Sequence, residues 1–137
     1  MTPPVPPRPS AGPGEDRGAV VVTGATSVLG RRVCRRLVRD GVSPVVALDE
    51  RPSDQRGVDG HALAGADLAG LCAGADVVIH LGRSGGLDLD GTGVGPDVAL
   101  TRQVLAAASA AGVPRVVLLS SAVVYGAWAN NPVPLTE

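Results

Sequence analysis

The stretch AVVVTGATSVLGRRVCRRLV, residues 19–38, runs from a buried strand through a turn of small residues straight into an amphipathic helix. Ala19-Val20-Val21-Val22 is a short continuous apolar run, the pattern of a parallel strand covered on both faces. Thr23-Gly24-Ala25-Thr26-Ser27 interrupts it with side chains too small to block a ligand. From Val28 onward apolar residues recur at Leu29, Val33 and Leu37, with Cys34 and Val38 beside them, which is one helical stripe. Gly41 stands where a glycine ends a helix. A helix that begins directly after such a turn aims its free N–H groups and the positive end of its dipole into the loop, where a phosphate is the usual occupant.

Outward from this unit the chain keeps alternating. Pro44–Leu48 reads as a second buried strand, ending in Asp49-Glu50-Arg51-Pro52, and His61–Ala64 as a weak third, followed by a short helical turn through Leu71. Asp76–Leu81 is a fourth strand. Residues 82–95 carry six glycines and read as a loop. Pro96 fits the first turn of the next helix, whose stripe is Val98, Thr101, Val104, Leu105, Ala108 and Ala111. Arg115–Ser120 is a fifth strand. Strands alternating with helices imply right-handed crossovers and an α/β fold, a doubly wound parallel sheet of about five strands of the Rossmann type.

A chain of 137 residues is one domain by size. It has no Phe, one Tyr and one Trp, so the core must be built from Val, Leu and Ala. A net charge of −1 gives no global argument for nucleic acid or an anionic membrane as partner. Arg31, Arg32, Arg35, Arg36 and Arg39 read as a solvated helix face, with no aromatics between them to stack on bases. All 12 cations are Arg, and there is no Lys. Cys34 and Cys72 fit small buried hydrophobes in a reducing compartment. With no charged-then-apolar leader and no apolar run near the ~18 residues of a membrane span, the expected location is cytoplasmic. Residues 1–18 hold six of the 12 prolines and are expected to be a disordered tail ahead of the domain at 19–137. His80, alone at a strand end, reads as structural, and no metal site is expected.

TGATSVLG at 23–30, LDERP at 48–52, ADVVIHLG at 75–82 and VVLLSSAVVYG at 116–126 stand in this order. With the helix ALTRQVLAAASAAGVPRVV and the tail NNPVPLTE, they resemble the N-terminal half of an extended short-chain dehydrogenase/reductase. That group, the NAD-dependent epimerases and dehydratases, acts largely on nucleotide sugars. The resemblance implies NAD as cofactor and a nucleotide sugar as the substrate of the full-length protein. Gly24 and Gly30 take the first and third places of the dinucleotide fingerprint. Ser27 holds the middle place, where its side chain either crowds the pyrophosphate or donates to a phosphate oxygen. The backbone of Val28 and Leu29 would lie against the phosphates. Asp49, 19 residues beyond Gly30, would accept from the adenosine ribose and repel a 2′-phosphate, favouring NAD. Arg51 could pair with such a phosphate, which leaves NADP open. Asp67-Leu68 match the pair that touches adenine, and Leu81-Gly82-Arg83 would line the middle of the cofactor.

Ser121 matches the serine that hydrogen-bonds the reacting oxygen. The partner Tyr-x-x-x-Lys pair does not follow: Tyr125 sits in the VYG turn, and a chain without Lys cannot supply it. Asp97 stands where the family carries an Asn near the nicotinamide. Ala122 and Val123 replace the acidic pair of the dehydratases. The chain would stop before the substrate-binding subdomain, leaving the fifth strand a bare edge and predicting marginal stability or homo-oligomers. Two readings follow: the cofactor-binding half of an NAD-dependent epimerase or reductase, or a dinucleotide-binding module without catalysis, inactive on its own.

Overall fold

The computed structural model describes residues 18–82 and 96–120. Its elements in chain order are β1 (Ala19–Thr23), α1 (Val28–Arg39), β2 (Val45–Asp49), β3 (Asp59–Ala62), α2 (Leu68–Cys72), β4 (Ala75–His80), α3 (Pro96–Ala110) and β5 (Val116–Leu118). The five strands form one sheet in the order β3-β2-β1-β4-β5. Every pairing in it is parallel. This is the expected Rossmann-type sheet. The proline-rich segment 1–17, Arg83 and Ser121 lie outside the described residues.

Alternation along the strands divides the core in two. Val21, Val46, Leu48 and Val78 pack with Val104, Ala107 and Ala108 of α3 and with Cys72 of α2. Val20, Val22, Val45 and Ala47 pack with Cys34 of α1, and Val33, Leu37 and Val38 close over them. The central strands β1 and β2 thus bury both faces, which is why they are uninterrupted apolar runs.

Local chemistry sets the ends of α1. Ser27 is its N-cap, and its hydroxyl accepts from Gly30 N–H at 3.0 Å. At the other end Val42 N–H donates to Leu37 O at 3.0 Å and Gly41 N–H to Val38 O at 3.1 Å, a Schellman closure with Gly41 at φ +80°.

Three sequence expectations shift. The third strand is Asp59–Ala62, two residues earlier than His61–Ala64, because its register is set by the ladder with β2, in which Leu48 faces His61 and Asp49 faces Ala62. Its residues Asp-Gly-His-Ala carry little strand propensity, so pairing decides where propensity cannot. On α3 the buried stripe is Val104, Ala107 and Ala108 with Leu100 and Ala111 beside it, whereas Val98 and Leu105 are exposed. The fifth strand is confined to Val116–Leu118, and Val117 and Leu118 on it and Leu119 just after it are exposed. Among the described residues no helix is long and apolar enough to cross a membrane.

Candidate functional site

The strand order reverses beside β1: β2 and β3 lie to one side, β4 and β5 to the other. Chains leaving the carboxyl ends of β1 and β4 therefore diverge to opposite faces and open a crevice between them. Two adjoining depressions occupy this crevice and share Gly24, Asp49 and Glu50. One, of about 290 Å³, continues over Leu48, Leu63 and Gly82 to Ala99, Leu100 and Gln103 of α3. The other, of about 550 Å³, runs past Thr26, Ser27, Val28 and Leu29 to Leu81 and Leu119.

The turn after β1 is held open by two glycines. Gly24 has φ +69°, and a Cβ there would meet Leu81 C and Gly82 N at 2.7 Å. A Cβ on Gly30 would strike Gly24 O and come within 2.7 Å of Ala25 Cα. The first turn of α1 therefore lies directly on the loop, which only a glycine at 30 permits. Ser27 Oγ donates to Gly24 O at 2.8 Å and accepts from Gly30 N–H, so the capping serine staples the loop to the helix. The N–H groups of Val28 and Leu29 have no acceptor among the described residues. Val28 and Leu29 line the larger depression, and Val28 is 75% exposed beside it.

Asp49 closes the crevice from β2. Its Oδ2 accepts from Thr26 N–H at 2.8 Å and Thr26 Oγ1 at 2.7 Å, and Oδ1 accepts from Glu50 N–H at 2.8 Å. Burial pulls this carboxyl's pKa upward, but the three hydrogen bonds from Thr26 and Glu50 outweigh it and hold the group below its ordinary value. It is a carboxylate at neutral pH, and among the described residues one acceptor position on Oδ1 is open.

His80 lies under the crevice, 2% exposed. Its Nδ1 is 2.6 Å from Thr23 Oγ1 and its Nε2 is 2.9 Å from Thr101 Oγ1. Thr101 donates its one hydroxyl proton to Asp97 O at 2.7 Å, so it must accept from His80, which places the imidazole proton on Nε2. Thr23 then donates to Nδ1. Both ring nitrogens are engaged, and the histidine ties α3 to the ends of β1 and β4. Burial lowers its pKa, against the opposing pull of Asp97. The native state thus holds His80 neutral, while the unfolded chain takes up a proton below about pH 6.5, so native stability falls as pH drops through that value. Urea midpoints at pH 7.5 and 5.5 test this: the midpoint is expected to fall, and His80→Gln to remove part of the fall.

Gly24, Ser27, Val28, Leu29, Gly30, Asp49, Leu81 and Gly82 come together on the crevice or its immediate wall. Asp67 and Leu68 are placed elsewhere: Asp67 caps α2 by accepting from Gly70 N–H at 3.0 Å, and Leu68 packs on the core. Arg51 is exposed and lines neither depression. Asp97 lies in the first turn of α3, where its carbonyl holds Thr101. Thr26, Leu63, Ala99, Leu100 and Gln103 were not singled out by sequence. The three α3 residues share one side of the helix, but which side meets the crevice depends on how α3 docks on the sheet. Among the described residues no group of three or more His, Cys, Asp or Glu side chains could hold a metal.

Sheet order, glycine turn and acidic β2 end together define a dinucleotide-binding α/β domain. The chain belongs to the NAD dependent epimerase/dehydratase family, whose model matches residues 20–137. Among solved structures, MoeE5 in complex with UDP-glucuronic acid and NAD is 32% identical, covering 80% of this chain and 38% of its own, with a TM-score of 0.65. A short-chain dehydrogenase/reductase superfamily protein from Agrobacterium tumefaciens with bound NAD is 28% identical over 87% of this chain and 40% of its own, TM-score 0.60. Uronate dehydrogenase from the same organism is 28% identical over 75% of this chain and 40% of its own, TM-score 0.53. The chain thus spans well under half the length of these relatives. No match was found among curated proteins.

Proposed function

We propose that the chain is the NAD-binding part of an extended short-chain dehydrogenase/reductase acting on a nucleotide sugar. The observation that carries this reading is the convergence of three features on one crevice. They are a backbone that no Cβ could enter at Gly24 and Gly30, two N–H groups at Val28 and Leu29 without an acceptor among the described residues, and the ionised Asp49.

These residues fit a dinucleotide in a definite order. The pyrophosphate suits the start of α1, where the N–H groups of Val28 and Leu29 and the helix dipole favour negative charge. Ser27 does not add a donor there, since its proton is held by Gly24 O. The adenosine ribose suits Asp49, whose open Oδ1 position takes one hydroxyl. The base suits the apolar floor of Leu48 and Leu63 under α3. A 2′-phosphate would meet the Asp49 carboxylate with Glu50 next to it, and this repulsion favours NAD over NADP. When bound, NAD supplies hydride transfer at its nicotinamide.

Ser121 is the residue proposed to hold the substrate's reacting oxygen. A second reading, a dinucleotide-binding module without chemistry of its own, draws on the absence of Lys from the sequence, which leaves no Tyr-x-x-x-Lys pair. Calorimetric titration with NAD and with NADP tests what the two readings share. NAD is expected to bind at least about 10-fold more tightly, from like-charge repulsion worth more than 1.4 kcal/mol at a partly buried site. Absence of binding to either dinucleotide would sink the proposal. Formation of NADH from UDP-sugars by the chain alone would decide for the enzyme reading.

A further inference from the structure

A second site, independent of the dinucleotide reading, lies at the other end of the sheet. Helix α1 carries five arginines in 12 residues, so Arg31 and Arg35, Arg32 and Arg36, and Arg35 and Arg39 are like charges one turn apart. Two of the five have a counter-charge. Arg31 Nη1 lies 3.4 Å from Asp54 Oδ1, and Arg36 Nε lies 2.7 Å from Asp40 Oδ2. Arg35 and Arg39 make no ion pair among the described residues, and neither does Arg56 on the segment between β2 and β3. These three arginines, with Val38, Gln55 and Val58, line one groove of about 390 Å³. Among the described residues no carboxylate lines it, since Asp40 and Asp54 face arginines outside it. Part of what spacing alone reads as a solvated helix face is therefore one wall of a basic groove.

The two walls are fixed to each other. Gln55 Nε2 donates to Arg31 O at 3.0 Å, and Val58 N–H closes a turn on Gln55 O at 3.3 Å. Gly57 sits so close to α1 that a Cβ there would come within 2.9 Å of Val38 Cγ1. The segment bearing Arg56 is thus held on the helix bearing Arg35 and Arg39, which lowers the ordering cost of binding between them. Arg39 ends α1, and Asp59, next after Val58, pairs with Val46 near the start of β2. The groove accordingly lies toward the amino ends of the strands, away from the crevice at their carboxyl ends, and the two can be filled together.

Planar guanidinium forks match the oxygens of phosphate, and a phosphoryl dianion offsets two of the three charges where a lone carboxylate offsets one. The volume is that of a small-molecule site, and the two valines add an apolar strip beside the cations. We propose that this groove binds a phosphate monoester. Arg35, Arg39 and Arg56 hold the phosphoryl oxygens, and Val38 and Val58 carry the organic group.

Titration of the whole 15N-labelled chain at constant ionic strength, followed by two-dimensional NMR, tests this with phenyl phosphate, inorganic phosphate, acetate and a hexaglutamate peptide. Phenyl phosphate is expected to shift the amide signals of Arg39, Gly57 and Val58 saturably. Inorganic phosphate moves the same signals with about 5-fold weaker affinity, lacking the apolar contact, and acetate leaves them in place. Arg39→Gln and Arg56→Gln each weaken phenyl phosphate about 10-fold, as for one charge-assisted hydrogen bond. Both residues are exposed, and Gln removes an unpaired like charge, so the melting temperature is not expected to fall. Arg32→Gln makes the same charge change on α1 outside the groove and should alter affinity less than about 2-fold. Non-saturating shifts at every arginine, or an equal loss in Arg32→Gln, overturn the proposal in favour of charge screening. Shifts confined to residues 27–30 overturn it in favour of the turn after β1. Inorganic phosphate binding as tightly as phenyl phosphate overturns the ester as ligand, and tighter binding of hexaglutamate overturns it in favour of an acidic protein partner.

Discussion

Gly30→Ala is expected to cost the domain about 3 kcal/mol and to remove dinucleotide binding, the largest effect of any single methyl group in the crevice. The added carbon would strike the carbonyl oxygen of Gly24 and lie 2.7 and 2.8 Å from Ala25 Cα and C. These are backbone atoms, so no rotamer change relieves the overlap. Either α1 lifts from the loop or the loop leaves the strand end. Both break the Ser27 staple, since Ser27 Oγ bridges Gly24 O and Gly30 N–H. Against a typical domain stability of about 5–15 kcal/mol, such a loss is readily measured by urea unfolding.

Gly41→Ala is the matched control. Gly41 has φ +80° but nothing within 4 Å of the position a Cβ would take, so only the left-handed backbone penalty applies, about 1 kcal/mol. NAD affinity should not change, because Gly41 lies at the far end of α1. Close backbone approach at Gly30 is overturned as the cause if Gly30→Ala is no worse than Gly41→Ala, or if it still binds NAD like the wild type.

Three glycines mark how far the sequence can be read. Gly24, Gly30 and Gly41 announce themselves because their reasons are local: a turn, a close approach and a helix end. Strands β1, β2 and β4 are legible for a similar reason, since a strand buried on both faces is apolar throughout. β3 is not, because Asp59-Gly60-His61-Ala62 owes its place to the ladder with β2 and to Ser53, whose backbone lies where a Cβ on Gly60 would be. The site divides the same way. Asp49 could be placed by its distance along the chain from the glycine turn. Its tie to Thr26 could not, because Thr26 reads as just another small loop residue. Gln103 and Leu100 were invisible because helical spacing shows which residues share a side, not what that side faces. Leu29 falls by spacing in the apolar stripe of α1, yet it stands 44% exposed on the crevice, an apolar residue placed where a ligand would lie.

Asp49→Asn is expected to change stability and cofactor choice together. The carboxylate accepts three hydrogen bonds, two at Oδ2 and one at Oδ1. An asparagine has one acceptor oxygen, so its amide group must face either Thr26 or Glu50 and leave one donor without a partner. That costs about 1–3 kcal/mol of stability. The pH dependence gives the sign. Because the folded pKa is lowered, the unfolded chain binds the proton more readily, and the contribution of Asp49 is fully present above its unfolded value near 3.9. It is lost as pH falls through the folded value. The stability gap between wild type and Asp49→Asn should therefore stay constant from pH 7 to about 5, then close in stronger acid.

Binding supplies the decisive contrast. Losing a charged acceptor for the ribose should weaken NAD by about 10- to 100-fold, as for a hydrogen bond worth 1.5–3 kcal/mol. NADP should not weaken with it, because the same substitution removes a negative charge that opposes the 2′-phosphate. A variant that is merely less folded would lose both dinucleotides in proportion. Parallel titrations therefore separate the cases: a drop in NAD with NADP held or improved supports Asp49 as the ribose acceptor. Equal losses for the two would reduce Asp49 to the tether of Thr26, holding the loop without touching the ligand.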